Sequence, residues 1–103
     1  MRQKLEQTKH GQNALKRLAT IVGETRVDAT LAIIDTYIGT RAAWDGDFNR
    51  DGRLPFNRTT LSQRLAAFLR RPSYVSEVKG ELARQERARN AAEAKARIER
   101  HNV

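Results

Sequence analysis

Apolar and polar positions in the first quarter of the chain follow the spacing of an amphipathic helix. The apolar positions that carry this pattern are Leu15, Leu18 and Val22, at i, i+3 and i+7. The pattern predicts a helix over residues 3–22, and Gly23 is typical of a helix C-terminus. Because Gly11 weakens the first turns of this helix, we expect residues 1–10 to fray.

A second run of helical spacing follows directly. Its apolar positions are Val27, Leu31, Ile34 and Ile38. We predict a helix that begins near Thr25, which can cap it, with Asp28 complementing the helix dipole in the first turn. The helix is expected to end between Gly39 and Trp44, and the single tryptophan is expected to anchor the core.

A polar loop separates this helix from the next one. Residues 45–57 are rich in Asp, Asn, Gly and Pro, which favour turns. Thr60 and Gln63 have the spacing of a capping box, so a third helix is predicted over residues 60–69. Pro72 disfavours helix at the residue before it, so the third helix stops there.

A fourth helix is predicted to begin at Pro72 or Ser73 and to extend to residue 82, and the chain beyond it is rich in alanine and charged residues. This last part is expected to be a solvated helix, because its apolar stripe is too thin for a strong coiled coil. The sequence therefore predicts an all-α fold with a helix-turn-helix and an extended C-terminal helix. We divide it into a basic N-terminal helix or arm (1–24), a helix-turn-helix domain (25–82) and a charged tail helix (83–103).

The charge of the chain indicates a polyanionic partner. The net charge is +8 and the isoelectric point is about 10.8, and nucleic acid is the commonest cellular polyanion. The positive excess is densest in residues 58–79, where five arginines and lysines stand against Glu77 alone. The alternative is a basic but inert surface. The chain has no cysteine, which excludes disulfides and thiolate metal sites.

The predicted helices 60–69 and 73–82, joined by a short turn, have the layout of a helix-turn-helix. In that motif the start of the second helix faces base edges, while turn cations and the first helix contact phosphates. An ordinary helical hairpin with a basic face is the alternative. The candidate DNA-binding residues are Arg58, Thr59, Ser62, Gln63, Arg64, Arg70, Arg71, Ser73, Tyr74, Ser76 and Lys79.

The segment LPFNRTTLSQRLAAFLRRPSYVSEVKGELARQ, between a preceding helix and a long charged one, resembles accessory DNA-binding proteins of plasmids and transposons. The layout is similar to the KfrA-type plasmid proteins and the small TnpC-like transposon proteins over roughly residues 27–100. Those families usually have glycine in the turn, where this chain has Arg70-Arg71-Pro72. The resemblance implies a role on a mobile genetic element, in transcription regulation or as an accessory in recombination, transfer or partition.

A second motif has the spacing of a calcium-binding loop. Asp47, Asn49, Asp51, Gly52 and Leu54 match the first eight positions of an EF-hand or dockerin loop. The twelfth position, which should supply a bidentate carboxylate, is Arg58. We therefore favour a turn without metal, and we predict no cofactor.

A ligand that binds only the folded state must raise the melting temperature of the protein. Since we predict that the loop binds no calcium, we expect calcium to leave the melting temperature unchanged. A thermal melt in millimolar calcium, compared with one in chelator, measures this. A rise of several degrees that magnesium does not reproduce would show that the loop binds calcium despite the arginine.

Other function classes have weaker support. The two histidines lie near expected frayed ends, and no Walker, GxSxG or HExxH motif is present, so we predict that the protein is not an enzyme. RNA binding lacks an RNP-type aromatic motif or a Gly-x-x-Gly clamp. The main alternative is a small basic adaptor that docks on a larger nucleic-acid enzyme through its helices. We expect double-stranded DNA as partner, a possible homodimer or a recombinase- or relaxase-type partner, no membrane and a cytoplasmic location.

Overall fold

The computed structural model of the chain describes residues 1–47 and 54–101. These residues form α-helices and single turns of 3-10 helix and include no strand, which confirms the all-α class. The helices are α1 (Arg2–Glu6), α2 (Lys9–Val22), α3 (Val27–Ile38), α4 (Arg41–Asp47), α5 (Leu61–Leu69) and α6 (Pro72–His101). Single turns of 3-10 helix precede α3 (Glu24–Arg26) and α5 (Phe56–Arg58). None of the helices described has the length and apolar character needed to cross a membrane.

The N-terminal part forms two helices, so the prediction of one helix over residues 3–22 was wrong. The chain breaks after α1, and the Oγ1 atom of Thr8 caps α2 by accepting a hydrogen bond from the backbone N–H of Gly11 at 3.0 Å. The expected fraying is also wrong, because Leu5 is fully buried in the core. Gly11 lets the backbone of α1 lie directly against α2: a Cβ atom there would lie 2.7 Å from the carbonyl carbon of Leu5.

Arg2 connects α1 to the start of α3. Its guanidinium forms ion pairs with Glu24 at 2.7 Å, Glu6 at 3.0 Å and Asp28 at 3.2 Å. The hydrogen bonds that Arg2 donates to the carboxylates of Glu24, Asp28 and Glu6 raise its pKa above the ordinary value, because they stabilise the protonated form. Each pair is solvent-exposed and contributes little to stability alone, but together they fix the position of α1. The first 24 residues therefore pack with the rest of the fold.

The second predicted helix begins later than expected. Gly23 ends α2 with a φ of +92°, as predicted, since glycine adopts this conformation without steric cost. The predicted start near Thr25 was two residues early. A hydrogen bond of 3.0 Å from the N–H of Arg26 to the carbonyl of Gly23 closes a tighter 3-10 turn before Val27. As predicted, Trp44 lies in the core, within α4.

The two helices predicted on either side of the short turn are present as α5 and α6, and α6 is longer than the predicted segment 73–82. The capping box is confirmed: Thr60 Oγ1 accepts from the N–H of Gln63 at 3.2 Å, and the N–H of Thr60 donates to Gln63 Oε1 at 2.9 Å. The next helix begins at Pro72, which suits the first helical position because its missing N–H would have no partner there. The predicted helix over 73–82 and the predicted extended C-terminal helix are one continuous helix, which runs to His101 because strong helix formers without a glycine or proline follow residue 82.

Only the first half of α6 packs on the rest of the molecule. Val78 and Leu82 are buried in the shared core, and Arg26 pairs with Glu86 at 2.9 Å. From residue 87 onward the described side chains are exposed, apart from a half-buried Ala96. At 1.5 Å per residue the 30-residue helix is roughly 45 Å long. It gives the molecule a longest dimension of 59 Å against 28 and 21 Å.

Candidate nucleic-acid interface

A cavity of about 560 Å³ lies where α2, α4 and α5 meet the segment before α5. Four of the eleven candidate residues line it, namely Arg58, Thr59, Gln63 and Arg70, and His10 joins them. Its apolar lining consists of Trp44, Leu54, Pro55, Ala66 and Ala67. Among the described residues that line the cavity none is acidic. We call this site the arginine cavity. The positive charges of Arg58 and Arg70 favour the binding of an anion there.

The two arginines of the cavity are available for a ligand. Arg58 and Arg70 are both exposed, and within residues 1–47 and 54–101 neither forms an ion pair with a carboxylate. A guanidinium offers five N–H donors in a planar fork that matches the oxygens of a phosphate. Gln63 uses its amide oxygen in the capping box, which leaves the amide NH₂ as its donor toward a ligand. The cavity therefore presents donors and positive charge together.

Buried contacts hold the segment that carries Arg58. The indole N–H of Trp44 donates to the carbonyl of Leu54 at 2.6 Å. One terminal nitrogen of Arg64 donates to the carbonyls of Phe56 and Thr59, both at 3.2 Å, and its guanidinium lies 4.1 Å above the centre of the Phe56 ring. Charge-assisted hydrogen bonds and the cation–π contact together fasten this segment to α5.

Two candidate residues lie inside the fold, with side chains largely covered by the rest of the chain. Arg64 is 8% exposed and Ser62 is 7% exposed, with the Ser62 hydroxyl 3.4 Å from that of Thr8. Burial lowers the pKa of Arg64, an effect that the nearby charge of Asp35 opposes. In this structure Ser62 therefore packs beside Thr8 and Arg64 binds backbone carbonyls, so the proposed DNA surface does not include them. Thr59 is also engaged, since its hydroxyl donates to the carbonyl of Phe56 at 3.0 Å.

The remaining candidates lie on the turn and the first turns of α6. The exposed ones are Arg71, Ser73, Ser76 and Lys79. Tyr74 is half-buried, and its ring packs against those of Phe68 and Tyr37 with centroid distances of 5.9 Å. The ring of Tyr74 is therefore part of the core, whereas the four polar residues form a surface. We call this surface the start of α6.

Helices α5 and α6 follow one another through a tight turn. The N–H of Arg71 donates to the carbonyl of Phe68 at 3.0 Å, and the carbonyl of Arg71 accepts from Tyr74 and Val75. This is the predicted order of helix, short turn and helix. The assignment as a helix-turn-helix stays a prediction, because a long α6 stands in place of the short recognition helix.

Sequence reasoning missed His10. It was expected to lie near a frayed end, but the cap at Thr8 starts α2 at Lys9 and places His10 in its first turn, exposed beside the arginine cavity. The threonine cap was a usable signal for the helix start. No local signal showed that this turn would face the segment carrying Arg58, 48 residues later in the sequence.

The calcium-like loop falls largely outside the described residues. Asn49, Asp51 and Gly52 are not described, whereas Arg58, at the position of the missing carboxylate, lines the arginine cavity. Within the described ranges no three carboxylates or histidines cluster as metal ligands. The expectation that this loop binds no calcium stays a prediction.

No protein-family model, curated protein or solved structure matches this chain. The resemblance to plasmid and transposon accessory proteins therefore stays a prediction, and the function has to be argued from the geometry of the site.

Proposed function

We propose that the protein binds duplex DNA through the arginine cavity and the start of α6. The observation that carries this proposal is the convergence of Arg58, Arg70, His10 and Gln63 on one cavity that has no acidic residue among its described lining. In a chain with a net charge of +8, the cavity is a site where several hydrogen-bond donors can bind the same anion. A backbone phosphate is the anion that duplex DNA supplies in abundance.

Phosphate contacts provide affinity, and the start of α6 provides groups that can distinguish bases. Ser73, Ser76 and Lys79 are exposed on the first turns of a helix, next to the cations of the turn. In known helix-turn-helix complexes this part of the second helix contacts base edges, while phosphate contacts set its position. This division of roles predicts that substitutions in the cavity weaken binding to all DNA sequences alike. Substitutions at the start of α6 should instead change the preference between DNA sequences.

A second groove on the molecule has the opposite character. Residues of α3 and α6 line it, and it carries Glu77 and Glu81, the latter bound to Arg84 at 2.7 Å. With one of its two carboxylates paired to an arginine, this groove has less positive charge than the arginine cavity and is a poorer site for a phosphate. The alternative proposal, a basic adaptor on a larger nucleic-acid enzyme, would use the helices without requiring DNA contact.

The proposal predicts salt-dependent binding to a duplex that weakens when the cavity loses its charge. With about five phosphates neutralised, the slope of log affinity against log salt should be about −4 or steeper. The double substitution Arg58→Gln with Arg70→Gln should make this slope shallower by about 1.8 and weaken binding about 10- to 100-fold at 0.1 M salt, for every sequence tested. Fluorescence anisotropy with a labelled 20-base-pair duplex measures both quantities.

The matched control is Arg26→Gln with Arg84→Gln. It removes the same two charges from arginines that already pair with Glu86 and Glu81. We expect this control to affect the slope far less than the cavity variant. Equal effects would show that net charge alone drives binding and that the cavity is not a site. No duplex binding at low salt would overturn the proposal and leave the adaptor as the better explanation.

A further inference from the structure

The second half of α6 lies outside the core that the described residues form. After Glu86, which pairs with Arg26, the described side chains are exposed apart from the half-buried Ala96. A helix of about 15 residues is marginal in water when no tertiary packing supports it. A segment that keeps good helix formers over this length without burying them has a surface available to a partner. We call residues 87–101 the tail helix.

The charge of the tail helix indicates the chemistry of that partner. Its cations are Arg87, Arg89, Lys95, Arg97 and Arg100, and its carboxylates are Glu93 and Glu99. All of these residues are exposed. Five cations against two carboxylates over about 22 Å of helix give a positive rod that complements a polyanion.

The apolar positions of the tail helix do not suit a second copy of the chain. Ile98, at 62% exposed, is its single large apolar side chain among the described residues, and the others are alanines. A stable helix dimer needs large apolar residues at successive a and d positions, which this segment lacks. Electrostatic repulsion between the five cations of one tail helix and those of a second copy also opposes self-association.

The cations surround the helix instead of forming one stripe. At about 100° per residue, Arg89 and Arg100 fall on one side, Arg87 on nearly the opposite side, Arg97 on the flank between them, and Lys95 on the other flank. A helix that rests on a flat anionic surface needs its cations on one face. A helix in the major groove has phosphates on both sides, and the groove, about 12 Å wide, admits an α-helix.

We propose that the tail helix is a second DNA-binding element, which lies in the major groove and contacts phosphates on both of its walls. This inference rests on the proposed duplex binding by the arginine cavity and the start of α6. The tail helix is a continuation of α6, so the base-facing first turns and the tail share one rigid axis. The tail therefore adds phosphate contacts beyond those of the arginine cavity and the start of α6.

The test replaces four tail cations by glutamine, which keeps helix propensity. The variant is Arg89→Gln, Lys95→Gln, Arg97→Gln and Arg100→Gln, measured in the full chain with the same labelled duplex. If two to four of these groups contact phosphates, the slope of log affinity against log salt becomes shallower by about 1.8 to 3.6. The control variant, Glu93→Gln with Glu99→Gln, should bind more tightly than the parent chain. Hydrogen exchange should show that duplex DNA protects the amides of residues 88–100 in the parent chain.

The outcomes separate this inference from the proposed function. A parent chain that binds no duplex overturns the proposed function, and with it the tail contact. The tail inference alone is overturned if the parent chain binds duplex, the four substitutions leave the salt slope unchanged, and DNA does not protect the tail amides from exchange. A four-glutamine variant that changes its oligomeric state in sedimentation, but not its salt slope, would show that the tail serves a second copy, which also overturns the inference.

Discussion

Replacing Gly11 by alanine is expected to lower the free energy of unfolding by about 1–3 kcal/mol, the usual cost of overpacking. The new Cβ atom would lie 2.7 Å from the carbonyl carbon and 2.8 Å from the Cα of Leu5, and closer still to its carbonyl oxygen. All three are backbone atoms, which cannot rotate away as a flexible side chain would. Either α1 shifts as a whole or it detaches and exposes Leu5. Urea unfolding followed by circular dichroism at 222 nm measures the change.

The sign of this effect is informative because intrinsic helix propensity alone predicts that Gly11→Ala stabilises the protein. Alanine is a better helix former than glycine by about 0.5–1 kcal/mol, so a glycine without close neighbours should gain stability on the same substitution. Gly80 is the matched control: it lies inside α6, and the nearest atom to a Cβ added there would be the Nη1 of Arg84, at 3.7 Å. We expect Gly80→Ala to stabilise and Gly11→Ala to destabilise. If both variants stabilise, α1 does not pack closely on α2.

Local patterns predicted the helix boundaries that depend on local chemistry. The capping box at Thr60, the stop at Gly23 and the start at Pro72 each involve groups within a few residues of one another. Their hydrogen bonds or fixed dihedral angles do not require the rest of the fold. These features could therefore be predicted correctly from the sequence.

Burial of charged residues was harder to predict. Arg58, Arg64 and Arg70 look alike as a run of cations, yet Arg64 is buried while the others are exposed. A signal did exist, because Arg64 lies three residues after Leu61 and four before Phe68, beside the apolar face of α5. Its partners, the Phe56 ring and two backbone carbonyls, belong to a turn whose position the sequence pattern does not determine.

Contacts between different helices could not be predicted at all. The close approach of Leu5 to Gly11 turns a helix-weakening residue into a packing requirement. His10 and Arg58, 48 residues apart in the sequence, line the same cavity. The first contact depends on how α1 packs on α2 and the second on how α2 lies beside the segment before α5, and no periodicity within one helix contains that information.

Replacing Trp44 by alanine is expected to have the largest effect on stability, a loss of about 3–5 kcal/mol. The side chain is 0% exposed, and its deletion leaves a cavity of the size of an indole ring. Small domains have a total stability of only about 5–15 kcal/mol, so a substantial part of this variant is expected to be unfolded. Circular dichroism must report the unfolding, because the substitution also removes the single tryptophan fluorophore.

Trp44→Phe tests the same residue in a protein that stays folded. Phenylalanine keeps much of the apolar volume but cannot donate to the Leu54 carbonyl, which accepts from the indole at 2.6 Å. We expect a loss of about 1–3 kcal/mol, the range for a hydrogen-bonding group left without its partner. The control Leu54→Ala keeps the carbonyl and alters a side chain that is 46% exposed, so its effect should be smaller. Because this hydrogen bond holds the segment that carries Arg58, Trp44→Phe should also weaken duplex binding by about as much as Arg58→Gln alone. A phenylalanine variant with lower stability but unchanged DNA affinity would show that Arg58 does not depend on this anchor.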